Sequence, residues 1–344
     1  MKKEFYIFFT SIILSFPVLG QYKFQIAQYQ QAASLYNPAF VGIEDFVDLK
    51  VGYRNRWAGL DNGPSSALFS ANVAVKIHEN NKYRRRGVRL VEPEAFQRLE
   101  TSSEFQYRKS KRQGFGFYIT QNENVQVKEL GGFLSYSYHL PISDYIIWSM
   151  GASMGAVNGE VDLSDLTVTD PLNDATYNDY IANGGLSSTS FKINMGTVLY
   201  AKNWYLGYGV NNLVSTNFSA IRVDDRFAED YKMQHNLMLG FADRRKYGMI
   251  FVPGALIEYA PNAPLSYTIS LRAKYEDAIW GGLAYRNGDA VNLSLGLHLT
   301  QNVALNYAFE YSLSEISGLN MSSTHEVVLA FKLNNKNFSR AFIF

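Results

Sequence analysis

The chain has 344 residues, a net charge of +1 and no cysteine, so disulfides, thiolate metal sites and cysteine nucleophiles are excluded. Charged residues make up 18%, against roughly 25% in ordinary usage, while 24 Tyr and 23 Phe lift the aromatic share to 15%. An aromatic-rich chain whose mean hydropathy is still slightly negative excludes a bundle of membrane-spanning helices and fits strands that are apolar on one side only.

From the amino end, residues 1–20 read as a secretory signal. Lys2 and Lys3 precede an apolar stretch from Phe5 to Leu19, and Val18 and Gly20 stand at the small-residue positions before a cleavage expected ahead of Gln21. The stretch is too short to span a bilayer comfortably, which takes about 20 residues, and no later run is longer. Residues 21–44 follow. They are long enough to fold back into a barrel as a plug, or to trail from it as a periplasmic leader.

Residues 45–333 carry a two-residue rhythm that predicts fourteen strands. In Ala290–Leu299, Val291, Leu293, Leu295, Leu297 and Leu299 fall on one face and Asn292, Ser294, Gly296 and His298 on the other. The strands are expected over Asp45–Trp57, Ser66–Ile77, Gly114–Gln121, Gly131–Leu140, Tyr145–Val157, Ser190–Ala201 and Trp204–Asn211. Then come Lys232–Asp243, Tyr247–Tyr259, Leu265–Tyr275, Ala278–Arg286, Ala290–Leu299, Val303–Ser312 and Ser322–Leu333. Pro253-Gly254 interrupts the ninth and is read as a bulge. Trp57, Trp148, Trp204 and Trp280 lie near strand ends, as aromatic girdles at two membrane surfaces require.

Every second connection is tight (Pro141–Asp144, Lys202-Asn203, Arg244–Lys246, Glu276-Asp277, Thr300–Asn302), and the other set includes long ones, Asn158–Thr189 and Asn212–Tyr231. That alternation predicts an antiparallel outer-membrane β-barrel with short periplasmic turns and both termini in the periplasm. The competing arrangement is a soluble two-sheet sandwich, which would expose Tyr, Trp and Leu on many faces. Lumen-facing positions read mostly as Gly, Ala, Ser and Asn, too small to fill a fourteen-stranded ring.

Two connections carry charge. The segment from Lys76 to Arg112, a basic periplasmic insertion over 78–113, holds Arg84, Arg85 and Arg86 among other cations, and Val88–Phe105 within it is expected to form a short helix. It suits docking of an acidic periplasmic protein or of anionic headgroups, or it is a solvated insertion. Asn158–Thr189 is acidic, with no Lys or Arg and no recognisable calcium-loop spacing. Residues 334–344 form a tail.

Catalytic and cofactor motifs are weak or absent. Gly151-Ala152-Ser153-Met154-Gly155 matches the nucleophile-elbow pattern but continues a strand, with no helix pattern after it. His139 and His298 fall on the lumen face without an obvious Ser or Asp partner from a neighbouring strand and are read as structural. No phosphate loop, zinc spacing or dinucleotide fingerprint occurs, so no cofactor or metal is expected, and nothing supports nucleic-acid binding.

The start of the mature chain contains Tyr36-Asn37-Pro38-Ala39-Phe40-Val41-Gly42 and then Tyr53-Arg54-Asn55-Arg56-Trp57-Ala58-Gly59-Leu60-Asp61. With Gly132-Phe133, Ser135–Pro141 and the closing His325-Glu326, this pattern resembles the PorP/SprF family of outer-membrane proteins of the type IX secretion system of Bacteroidetes. The resemblance covers most of residues 28–333. It implies a role in protein export and, for the SprF branch, in secreting or anchoring adhesins used in gliding, with no enzymatic activity. The expected partners are a secreted adhesin or its C-terminal domain, type IX subunits and outer-membrane lipid; the alternative is a diffusion channel or hydrophobic-solute transporter. Asn37, Pro38 and Phe40 are the plug and family motif. Arg54, Asn55, Arg56 and Trp57, with Arg84, Arg85 and Arg86, are candidate partner-binding residues. By parity Arg54 and Arg56 point into the lumen near the extracellular mouth. There they could clamp a carboxylate-rich partner or the plug, or brace acidic loops.

Overall fold

A computed structural model describes residues 26–58, 63–76, 111–124, 127–143, 145–161, 178, 186–217, 233–244, 249–261, 263–275, 278–300, 302–313 and 323–334. The strands are β1 (Val47–Asn55), β2 (Ser65–Lys76), β3 (Arg112–Glu123), β4 (Val127–Pro141), β5 (Ile147–Val161), β6 (Leu186–Tyr200) and β7 (Trp204–Asn217). They continue as β8 (Gln234–Phe241, prolonged by Asp243–Arg244), β9 (Met249–Tyr259), β10 (Ser266–Tyr275), β11 (Ile279–Arg286), β12 (Ala290–Thr300), β13 (Val303–Ser312) and β14 (Ser323–Leu333). Each pairs antiparallel with its neighbours in sequence, and β1 pairs with β14 from Val47↔Leu333 to Asn55↔His325. The sheet is therefore a closed ring, in which no strand is left with an unpaired edge.

The alternation that predicts the strands also decides their faces. On β12 and β10, Leu293, Leu295, Ile269 and Leu271 are exposed, whereas Asn292, Ser294, Thr268, Ser270 and Arg272 are buried. Leu134, 64% exposed, projects outward from a wall whose inner face holds Met238 at 0%. An outward apolar surface of this extent needs lipid rather than water. The hydrophobic core lies inside the ring: Ile26, Tyr29, Leu35, Tyr36, Phe40 and Ile43 pack against Leu68, Tyr118, Phe133, Tyr205, Met238 and Leu256 of the wall.

All fourteen predicted strands are present, with differences that have physical causes. β7 runs to Asn217 rather than stopping at Asn211, because Asn211-Asn212 is a bulge and not a turn. There Asn194 of β6 opposes Asn211, Asn212 and Leu213, Asn212 takes a left-handed φ of 56°, and its N–H is capped by Asn194 Oδ1 at 2.8 Å. Asn158–Val161 and Leu186–Thr189, assigned to a loop, extend β5 and β6 in register. Polar side chains do not stop a strand whose backbone groups stay paired.

Pro253-Gly254 is not a bulge. Val252↔Arg272, Pro253↔Leu271 and Gly254↔Ser270 keep one register with β10, and on the β8 side pairing lapses between Gly254↔Gly240 and Phe251↔Asp243 and then resumes unshifted. Proline has no N–H to give the ladder, so it interrupts bonding without inserting a residue. Trp280 is not in an outer girdle either. It shares the inward parity of Arg286 and is 5% exposed, whereas Trp148 is exposed on the outer face. Proximity to a strand end does not set the face; parity does. β3 starts at Arg112, so Arg112 and Gln113 belong to the wall and not to the insertion.

Candidate functional site

Residues 26–46 fill the ring just before β1. The segment makes a 3-10 turn at Tyr29–Ala32, one α-helical turn at Ala33–Tyr36 and a second 3-10 turn at Pro38–Phe40. Irregular backbone at membrane depth must have its polar groups satisfied, and the wall's own backbone groups are spent on the ladder. Side chains of the wall therefore do it. Asn211 Nδ2 donates to Leu35 O (3.0 Å), Asn236 Nδ2 to Tyr36 O (3.0 Å), Ser149 Oγ to Ala39 O (2.7 Å) and Ser137 Oγ to Val41 O (2.6 Å). Arg112 Nη2 donates to Ile43 O at 2.7 Å. The small polar residues of the lumen face are the hydrogen-bonding partners of a bound backbone.

Asn37 is the pivot of this segment and is fully buried. Its Oδ1 accepts from Ala39 N at 2.9 Å, capping the Pro38–Phe40 turn, and Pro38 occupies the first position, where no N–H is needed. Its Nδ2 donates to Thr197 O of β6 at 3.1 Å. The amide lies flat on Gly196, where any side chain would collide with it, and Gly151 likewise admits the Pro38-Ala39 backbone. Phe40 meets Tyr205 edge-on, with ring centroids 5.5 Å apart. The motif residues Asn37, Pro38 and Phe40 thus face β5, β6 and β7 together.

His139 closes the lower side. Its Nε2 is 2.8 Å from Val41 O, which can only accept, so Nε2 carries the proton and Nδ1 accepts from Tyr200 Oη at 2.9 Å. Tyr200 Oη in turn accepts from Arg112 Nη2 at 2.8 Å. Ser153 sits in unbroken β5 and accepts from Asn194 Nδ2 at 3.0 Å, so the Gly151–Gly155 stretch makes no turn.

Near the end of the barrel where β1 finishes and β14 begins, Ala27 N and Gln28 N donate to the Glu326 carboxylate (2.7 and 3.1 Å). Tyr29 Oη and Gln30 Nε2 reach Ser270 Oγ at 3.0 and 2.8 Å. Burial pushes the Tyr29 phenol up to about 12, partly offset by the Ser270 hydrogen bond and the Arg272 charge, and burial also raises Tyr36. Both phenols stay neutral at physiological pH.

The four candidates of the Tyr53–Asp61 motif do not converge. Arg54 points inward and pairs with Glu310 of β13 at 2.6 Å, and Arg286 joins the cluster through Glu310 (3.4 Å) and Asp289 (2.8 Å). Arg56 is half-buried with its guanidinium 5.4 Å from the Trp57 ring, Trp57 has a left-handed φ of 53°, and Asn55 is exposed. Arg84, Arg85, Arg86, the helix expected over Val88–Phe105 and the tail 334–344 lie outside the described residues. Sequence reasoning gave Glu310, Glu326 and Asp289 no role in the lumen and placed Arg112 in the basic insertion rather than in the wall. Glu310 and Glu326 carry inward parity in their strands, which was the available signal.

A closed ring with an apolar exterior and a core of bound backbone inside defines an outer-membrane β-barrel with a filled lumen. The model of one protein family, described as type IX secretion system membrane protein PorP/SprF, matches residues 18–331, and the chain belongs to that family. No curated protein matches it. Among solved structures, a Pseudomonas aeruginosa FadL homologue is 8% identical over 88% of this chain and 94% of its own, with a TM-score of 0.47. The Ralstonia pickettii toluene transporter TbuX is 10% identical over 88% and 94%, TM-score 0.46. The Acinetobacter baumannii outer membrane protein Omp33 is 9% identical over 85% and 100%, TM-score 0.43.

Proposed function

We propose that this protein is a non-catalytic barrel that supports export or cell-surface anchoring of gliding adhesins, binding the exported protein or its C-terminal domain, or other type IX subunits. Family membership supports the export role. The observation that carries the non-channel reading is the filled lumen: residues 26–46 are hydrogen-bonded to β3–β8, β10 and β14. A segment so anchored leaves the two rims as the working surfaces. The tight turns favour a periplasmic side at the start of β1 and the end of β14, the side on which β2 ends and β3 begins, and the basic sequence between them, with Arg84–Arg86, suits an acidic protein partner.

Pull-down of the tagged protein from crosslinked cells should recover a surface adhesin or type IX subunits. Recovery of neither, with steady conductance of the purified protein in planar bilayers, would replace this reading with a diffusion channel.

A further inference from the structure

A small cavity of ≈ 10 Å³ lies between plug residues Ala27–Gln30 and the wall, lined by Gln28, Arg272, Gly282, Asn292 and Ser294 among others. That is room for one occupant of atomic size. Three buried side chains lining it have polar atoms without a hydrogen-bond partner: both amide atoms of Gln28, both of Asn292, and Nη1 of Arg272. These residues are 2%, 5% and 3% exposed.

Arg272 decides the chemistry. Its guanidinium lies 4.0 Å above the Trp280 ring, which is fixed by Nε1 donating to Asn306 Oδ1 at 3.0 Å, and its Nη2 donates to Gln30 Oε1 at 2.8 Å. These contacts orient the cation but do not neutralise it. Among the described residues no carboxylate pairs with Arg272. Glu310, opposite Asn292 in the ladder, is already bracketed by Arg54 and Arg286. A buried guanidinium without a counter-charge is unfavourable, and a neutral water supplies none.

We propose that this cavity is an anion site that takes a halide such as chloride as the counter-charge of Arg272. Arg272 Nη1 donates to the ion, and the amides of Gln28 and Asn292 turn their NH₂ groups toward it. Because Gln28 belongs to the plug and the other two to β10 and β12, the ion ties the plug to the wall. The site is independent of the export role.

The test uses the full barrel in detergent at constant ionic strength, with bromide as the probe. Crystals soaked in bromide should show an anomalous peak among Arg272, Gln28 and Asn292. Replacing gluconate by bromide should raise the unfolding temperature in a saturable way. Arg272→Gln should abolish both effects. Asn292→Leu keeps the cation and removes one donor, so it should raise the bromide midpoint about tenfold, the equivalent of one charge-assisted hydrogen bond. No anomalous peak, or equal stability in gluconate and bromide, overturns the proposal and leaves a water site. A bromide effect unchanged in Asn292→Leu also overturns it, by placing the ion elsewhere.

Discussion

Replacing Asn37 by Ala should loosen the plug without opening the ring. The substitution orphans two groups, the Ala39 N–H held at 2.9 Å and the Thr197 carbonyl held at 3.1 Å. A buried N–H left without a partner costs about 1–3 kcal/mol, and a carbonyl that keeps a second lone pair less, giving ~2–4 kcal/mol together. At about 1.4 kcal/mol per factor of ten, local opening should become roughly 30- to 700-fold more frequent. Hydrogen exchange followed by mass spectrometry reads this directly, because amides of residues 26–46 exchange through such openings. Asn37→Ser retains an acceptor for Ala39 N but cannot reach Thr197, and should give a smaller acceleration. Wild-type exchange across the plug in Asn37→Ala, with the barrel still assembled, would refute the assignment of Asn37 as its anchor.

Gly151→Val would place a Cβ 2.5 Å from Ala39 N, so the plug must leave while β5 stays paired; planar-bilayer recordings should show conductance steps larger than those of wild type. Arg54→Met breaks a buried pair and should lower barrel stability by about 3 kcal/mol, the lower end of the usual range because Arg286 still holds Glu310, as read by urea unfolding in detergent. Docking raises the Tyr29 phenol, so its contribution is complete below the free value near pH 10 and is lost as pH climbs through about 12; plug exchange measured against pH, after correction for base catalysis, should rise in that window, and Tyr29→Phe should flatten it. Deleting residues 80–109 should spare assembly, judged by gel mobility with and without heating, and weaken capture of a periplasmic partner. Failure of the barrel to assemble would show that part of the wall lies in that segment.

The wall was legible because lipid demands apolar side chains at alternate positions while the lumen admits small and polar ones between them. Leu265–Arg272 shows it without exception. What periodicity could not show is which inward residues meet, since partners such as Arg54 and Glu310 come from strands at opposite ends of the chain. Trp280 misled because a strand-end position was weighed above parity. Pro253 misled because a residue that cannot donate looks in sequence like one that does not fit. The lumen face reads in sequence only as too small to fill the ring, yet Ser137, Ser149, Asn211 and Asn236 are small so that a second stretch of chain can approach, and polar so that it can bind.

One contact sets the order in which this molecule can be completed. Ala27 and Glu326 are 299 positions apart, yet the carboxylate that receives the Ala27 amide arrives only with β14, the strand that pairs with β1. Most other ties of residues 26–46 come from β3–β8 and β10, which are threaded earlier. The interior segment can therefore gather the growing wall around itself, and the final seam and its last tether form as one event.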